Sequence, residues 1–245
     1  MRDALSVYRS LVARGAAPAL TWYGGDGRIE LSGRVAANHL AKICGYLLDE
    51  IWLTPGQALH LDLPAHWKQV LWGLGGLLAG ATVTCRGDAA PSASGHATEG
   101  AGCASGIDAR RGSADGDSAG GQAPACVLVT DGPDSRAAQA AQDVLALDLG
   151  PLAMAWSGPA LPAGVHDAAA EVMGSPDDLA DETAHEASNA ARWQASASRA
   201  GRPPLLVSPS PGAALAAAVA TMGAERLVVA EGAVDAEGIR IAENL

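Results

Sequence analysis

Five residues could line a ligand site if the strands that precede them share one sheet. They are His66, Trp67, Thr130, Asp131 and Ser208. Each lies at or just beyond the carboxyl end of a predicted strand, and these strands span 58–63, 125–130 and 205–207. In an open parallel sheet, ligands bind in the crevice at the carboxyl ends of the strands, where helix N-termini also point. The pattern therefore predicts a small-molecule site formed by these five side chains.

His66 and Trp67 offer the most informative chemistry of this set. A titratable imidazole lies next to a broad apolar indole, and this combination suits a ring or an acyl chain. A structural role for the same pair stays open, in which His66 caps the start of a helix and Trp67 belongs to the core.

Two short motifs look catalytic but lack the context that catalysis requires. Residues 116–120 match the G-x-S-x-G pattern around Ser118, yet a nucleophile elbow needs a strand before the serine and a helix after it. Both flanks are instead rich in Gly, Ala, Ser and Asp. His185 and Glu186 begin like a zinc-binding H-E-x-x-H motif, but the second histidine is missing. We therefore predict no catalytic residue.

Metal and dinucleotide sites are not expected either. Five acidic residues lie close together in the sequence, but they lack the glycine-centred loop of a calcium site. We therefore interpret them as a charged surface. It consists of Asp177, Asp178, Asp181, Glu182 and Glu186. Residues 73–76, G-L-G-G, follow no predicted strand and open no helix. We interpret them as a site of close helix packing rather than of dinucleotide binding.

Composition and charge narrow the class of protein. The chain has 245 residues, of which 49% are hydrophobic and 18% charged, as in globular proteins. A net charge of −11 disfavours nucleic acid and anionic membranes as partners. The longest uncharged apolar stretch, 69–85, is shorter than the roughly 20 residues of a spanning helix. The first residues lack a signal-peptide pattern, so we expect a cytoplasmic protein.

The chain is predicted to form one α/β core with an insertion. Residues 1–85 form the first part of the core and residues 125–245 form the second. Between them, residues 86–124 carry Ile107 as their only large aliphatic side chain. Such a segment buries too little apolar surface to offset the entropy cost of ordering, so we predict that it is disordered.

Strands and helices alternate on both sides of this insertion. Further strands are predicted at 19–23, 28–31, 82–85, 144–147 and 226–229, and helices at 66–79, 135–142, 176–193 and 212–222, with Ser32 capping another. This alternation predicts an α/β fold with a mostly parallel sheet covered by helices on both faces.

Several short stretches resemble a known family. They are P-A-L at 18–20, E-L at 30–31, L-T-P-G-Q-A-L at 53–59, L-P-A-H-W at 63–67 and L-A-G-A at 78–81. In this order they resemble the opening of the AMP-binding, adenylate-forming superfamily, which includes the acyl-CoA synthetases. Residues 149–152, 161–167 and 171–172 resemble a small stand-alone relative of that superfamily. The resemblance implies part of the large α/β domain of such enzymes.

The phosphate-binding motif of that superfamily is missing from this sequence. Its members carry a loop of the type S-G-T-T-G-x-P-K, whereas this chain has two lysines, Lys42 and Lys68, both inside predicted helices. We therefore expect a protein without adenylation activity that binds a small molecule or a protein. The alternative is a ligase-like fragment that acts with a separate catalytic half. No cofactor is expected, and a nucleotide is implied by the resemblance alone.

Overall fold

The structure is a computed structural model. It describes residues 3–25, 27–88, 126–179, 205–222, 224–232 and 235–245. The predicted insertion at 86–124 lies outside the described residues from position 89 onward, and so does the predicted helix at 176–193 from position 180 onward.

The first stretch, residues 3–88, alternates helices and strands as predicted. Its elements are α1 (Ala4–Arg14), β1 (Pro18–Gly24), β2 (Gly27–Ser32), α2 (Gly33–Asp49), β3 (Ala58–Asp62), α3 (Trp67–Leu78) and β4 (Thr82–Cys85). The predicted cap of α2 is confirmed, because the Ser32 hydroxyl accepts a hydrogen bond from the backbone N–H of Val35.

The later stretches supply the remaining elements. They are β5 (Cys126–Thr130), α4 (Arg136–Ala140), β6 (Asp143–Ala146), β7 (Val165–Asp167), α5 (Ala168–Glu171), a 3-10 turn (Val172–Gly174), β8 (Leu205–Val207), α6 (Pro211–Thr221), β9 (Leu227–Ala230) and α7 (Ala236–Glu243). The strand β7 and the helices α5 and α7 were not predicted.

The strands form two sheets. One has the order β4-β3-β5-β6-β7 and is parallel throughout, and the other has the order β2-β1-β9-β8 with one antiparallel pair, β1 and β2. The prediction of a mostly parallel α/β fold is confirmed. The expectation that 205–207 shares a sheet with 58–63 and 125–130 is wrong. β8, α6 and β9 form a βαβ unit, so β8 pairs with the strand that follows it.

Helices cover both faces of the parallel sheet. Between the two sheets, α3 packs against β3 and β4 on one side and against β1 on the other. On the outer face, α4 packs against β5 through a small cluster of Leu128, Ala138 and Val144. The helix α7 covers the outer face of the second sheet through Ile239, Val228 and Ala230.

Three glycines in α3 let its neighbours approach closely. An added Cβ would lie 2.6 Å from Leu215 of α6 at Gly73, 2.4 Å from Ile43 of α2 at Gly75, and 2.3 Å from Leu59 of β3 at Gly76. These residues lie inside the helix and contact the core. The interpretation of 73–76 as a packing motif is therefore confirmed.

Among the described residues, no helix combines the length and hydropathy that crossing a membrane requires.

Candidate functional site

His66 caps the N-terminus of α3 and also forms part of a cavity wall. Its Nδ1 accepts a hydrogen bond from the backbone N–H of Lys68 at 3.2 Å. Its ring stands edge-on to that of Trp22, with 4.6 Å between the centroids. Burial, with a smaller contribution from the charge of Lys68, lowers the pKa of His66 to about 4. The imidazole is therefore neutral at neutral pH, and because Nδ1 accepts a bond its proton lies on Nε2.

A cavity of about 350 Å³ opens beside His66. We call it the polar cleft, and its walls include Trp22, Pro64, His66, Asp148, Gly150 and Glu231. His66 lies beyond the carboxyl end of β3, Asp148 beyond that of β6, and Glu231 beyond that of β9. The cleft thus lies between the strand ends of the two sheets, where ligand crevices occur in open α/β folds.

Trp67 lines a second cavity, of about 210 Å³. We call it the apolar pocket, and its walls include Ile43, Trp67, Leu71, Trp72, Met154 and Met173. His39 also lines it, and burial, followed by the charges of Lys68 and Lys42, lowers the pKa of His39. The imidazole is therefore uncharged at neutral pH, in keeping with the apolar side chains around it.

The loop from 148 to 157 separates these two cavities. Asp148 and Gly150 face the polar cleft, whereas Ala153 and Met154 face the apolar pocket. The loop is braced from within by the Asp148 carboxylate, which accepts hydrogen bonds from the backbone N–H groups of Gly150 at 2.7 Å and Ser157 at 3.0 Å. We refer to it as the 148–157 loop.

Lys68 fixes the 148–157 loop to the first turn of α3. Its Nζ donates hydrogen bonds to the carbonyl oxygens of Asp148 at 2.6 Å and Ala153 at 3.2 Å. The side chain is buried, and desolvation lowers the pKa of its ammonium although the charge of Asp148 opposes this. Sequence reasoning missed both residues as parts of the site. The available signals were a lysine in an otherwise apolar helix and an aspartate just beyond a predicted strand.

Thr130 and Asp131 engage other protein groups. Thr130 is fully buried, and its hydroxyl accepts a hydrogen bond from the backbone N–H of Gly132 at 3.0 Å. Asp131 forms an ion pair with Arg86 at 2.9 Å, and Arg86 also pairs with Asp62 at 2.7 Å. Neither residue lines the polar cleft or the apolar pocket.

Ser208 follows β8 in the second sheet. Its hydroxyl donates a hydrogen bond to the carbonyl oxygen of Gly232 at 3.0 Å. Of the five predicted site residues, His66 lines the polar cleft and Trp67 lines the apolar pocket, whereas Thr130, Asp131 and Ser208 line neither of these two cavities. The alternative structural roles of these two residues are also observed. His66 caps the N-terminus of α3, and Trp67 is a buried side chain.

The remaining sequence motifs fall largely outside the described ranges. Ser118, His185 and Glu186 lie there, as does the acidic group beyond Asp178. Within the described residues, Asp177 pairs with Lys42 at 3.0 Å. In that same part of the chain, no three His, Cys, Asp or Glu side chains form a group that could hold a metal ion.

Solved structures share this fold, although no family model and no curated protein matches the sequence. An amide bond synthetase from Marinactinospora thermotolerans aligns over 98% of this chain and 47% of its own, with 16% identity and a TM-score of 0.54. An acyl-CoA synthetase from Brucella canis aligns over 99% of this chain and 45% of its own, with 14% identity and a TM-score of 0.59. The inhibitor-bound N-terminal domain of FACL13 from Mycobacterium tuberculosis aligns over 100% of this chain and 62% of its own, with 13% identity and a TM-score of 0.56.

These similarities establish the fold. The chain spans about half the length of the two synthetases. The expected fold is confirmed, because nearly the whole chain aligns with about half of an amide bond synthetase and about half of an acyl-CoA synthetase.

Proposed function

We propose that this chain is a binding module that has the fold of an adenylate-forming enzyme but does not adenylate a substrate by itself. Its ligand is a small apolar molecule held in the apolar pocket. The observation that carries this proposal is a cavity lined almost wholly by aliphatic, aromatic and thioether side chains next to the strand ends. Such a lining is typical of small-molecule sites.

The size of the pocket limits the ligand. A volume of about 210 Å³ lies below the roughly 300–1,000 Å³ of pockets that hold drug-sized molecules, so the ligand is a single ring or a short chain. The unbranched side chains of Met154 and Met173 adapt to ligands of different shape. Leu152, which is 79% exposed, and Met154, which is 61% exposed, bring apolar surface to the mouth of the pocket.

The surroundings of the two lysines argue against adenylation by this chain alone. Transfer chemistry at a triphosphate needs preorganised donors and a cation beside the phosphates. Lys68 donates to two carbonyl oxygens of the 148–157 loop. Lys42 donates to the carbonyl oxygen of Met173 at 3.2 Å and pairs with Asp177. Both ammonium groups are thus engaged with protein oxygens.

Calorimetric titration with benzyl alcohol, an uncharged single-ring probe, tests the binding proposal. We expect saturable binding that Ala153→Leu weakens by about tenfold, because the larger side chain fills the pocket. Ala160→Leu, at an exposed position outside the pocket lining, is the matched control and should bind like the unmodified chain. Equal binding by both variants, or ATP–pyrophosphate exchange by the chain alone, would contradict the proposal.

The alternative, a ligase fragment that needs a separate half, is favoured by one observation. The chain covers 47% and 45% of the two synthetases that share its fold. Purification from native cells, followed by an ATP–pyrophosphate exchange assay, separates the two functions. Exchange activity that requires both this chain and a co-purifying protein would favour the alternative.

A further inference from the structure

The apolar pocket has one polar corner, formed by His39 of α2 and Trp67 of α3. Their rings stand edge to face, with 6.0 Å between the centroids. Both side chains line the pocket, whose other walls are mostly aliphatic and thioether side chains. In small-molecule sites a few polar groups of this kind fix the orientation of a ligand that is otherwise held by apolar contacts.

The ring nitrogens of this corner lack protein partners within the described residues. His39 is half-buried, and no hydrogen bond joins its imidazole to another described group. Trp67 is 6% exposed, and its Nε1–H is buried and donates to no acceptor in the same part of the chain. A buried donor without an acceptor costs free energy. A ligand that brings an oxygen to this corner is therefore favoured over a hydrocarbon of the same shape.

The charges around the corner limit the polar group of the ligand. Burial, followed by the charges of Lys68 and Lys42, lowers the pKa of His39, so its neutral ring offers one donor and one acceptor. The same two charges repel an ammonium group. A carboxylate would lack a counter-ion, because Lys68 donates to two loop carbonyls and Lys42 pairs with Asp177. The group that fits is uncharged and both donates and accepts, as a hydroxyl does.

We propose, on the basis of the binding function proposed above, that the apolar pocket takes a phenol whose hydroxyl bonds to the imidazole of His39. An apolar cavity of about 150 Å³ holds benzene, so the volume of about 210 Å³ leaves room for one ring and its hydroxyl. The indoles of Trp67 and Trp72 in the wall favour an aromatic ring over an aliphatic chain. The phenol oxygen also supplies an acceptor to a corner that contains an unpaired indole N–H.

Phenol and toluene are the probes, because they share a shape and differ in the hydroxyl. In calorimetric titrations at neutral pH, we expect His39→Leu to lower the ratio of phenol affinity to toluene affinity by about fivefold or more, the size of one hydrogen bond. Toluene should still bind this variant, which shows that the pocket is folded. Met173→Leu, in the wall of the same pocket, is the matched control and should change the ratio by less than about twofold. A ratio that His39→Leu leaves unchanged would overturn the proposal.

Charged analogues test the choice of a hydroxyl without any variant. Benzoate and benzylamine should each bind the unmodified chain at least about tenfold more weakly than phenol. Binding of either as tight as that of phenol would overturn the proposal. Toluene distinguishes the two failures. If it binds but the ratio does not depend on His39, only the phenol assignment fails, whereas no saturable binding of toluene, phenol or benzyl alcohol would overturn the pocket itself as a ligand site.

Discussion

The ammonium nitrogen of Lys68 lies 2.6 Å from the carbonyl oxygen of Asp148, and this contact holds the wall between the two cavities. A second bond to the carbonyl oxygen of Ala153 fixes the other side of the turn. The shape of both cavities therefore depends on one buried lysine.

Replacing this lysine should loosen the 148–157 loop. Lys68→Met keeps most of the apolar stem but removes two charge-assisted hydrogen bonds, so we expect unfolding free energy to fall by about 2 kcal/mol. Amide hydrogen exchange in the loop should accelerate. Arg34→Met, at an exposed position of α2, is the control and should change stability by less than about 0.5 kcal/mol. Unchanged loop protection in Lys68→Met would show that the loop is held by other contacts.

His66 should make stability depend on pH. Its folded pKa of about 4 lies below the ordinary value of 6.5, so the unfolded chain binds the proton more readily in this window. Stability is therefore lost as the pH falls from 6.5 towards 4, and the contribution of this group reaches about 3 kcal/mol.

His66→Asn isolates that contribution. Asparagine retains a side-chain oxygen that can cap α3 but has no titratable group in this range. Denaturant unfolding at about pH 7 and about pH 4.5 should show a smaller loss of stability in the variant than in the unmodified chain. The same loss in both proteins would mean that the buried imidazole is not the group that titrates.

Gly75→Ala should destabilise the protein although alanine favours helices. The new Cβ would lie 2.4 Å from Cγ2 and 2.7 Å from Cβ of Ile43, and a β-branched side chain on a helix moves little. Overpacking costs about 1–3 kcal/mol, which exceeds the roughly 1 kcal/mol gained in helix propensity.

The matched control is Gly45→Ala in α2. There the nearest atom to an added Cβ is Cβ of Ser175 at 3.7 Å, an ordinary contact. This variant should gain up to about 1 kcal/mol of unfolding free energy. Thermal and denaturant unfolding measure both effects, and a rise in stability for Gly75→Ala would show that α2 and α3 can move apart without cost.

Glu243 should anchor α7 to the second sheet. Its buried carboxylate accepts hydrogen bonds from Tyr23 and from Arg28, the latter at 2.8 Å, and pairs with Arg226. Burial would raise its pKa, but these groups outweigh burial and lower it. Its contribution to stability is therefore present above its unfolded pKa and lost as the pH falls through the lower folded pKa.

Glu243→Gln removes this charge. Two arginines lose a partner, so we expect a loss of about 2–4 kcal/mol near neutral pH and faster amide exchange in α7. Glu237→Gln on the exposed side of the same helix should have little effect. Equal effects of the two variants would indicate that the Glu243 ion pairs do not hold the helix.

Local structure was predictable where short-range signals are strong. Ser32 caps the helix that begins at the next residue, as the sequence predicts. The strand predicted at 82–85 is observed as β4 with the same bounds. The strand β7 and the helices α5 and α7 escaped prediction because they are three, four and eight residues long, which is too short for a clear periodic pattern. The sheet that β8 joins was missed because pairing depends on distant residues.

The site was predictable only in part, for a geometric reason. His66 and Trp67 are neighbours in sequence, but residues at a helix start point in different directions, so one lines the polar cleft and the other the apolar pocket. Thr130 ends a buried strand, and its hydroxyl bonds to the adjacent turn. Asp148 and Glu231 follow strands of two different sheets. Their places in the wall of the polar cleft could not be predicted because the sequence was interpreted as a single sheet.

The strand order has a consequence for biosynthesis. β9 lies between β1 and β8, although it is made last of the four strands in its sheet. During translation, β1 therefore has no parallel partner until residue 230, the end of β9, has been made. Such late, long-range pairing makes assembly of this sheet slow, and the β1 edge of the hairpin stays unpaired until β9 is made.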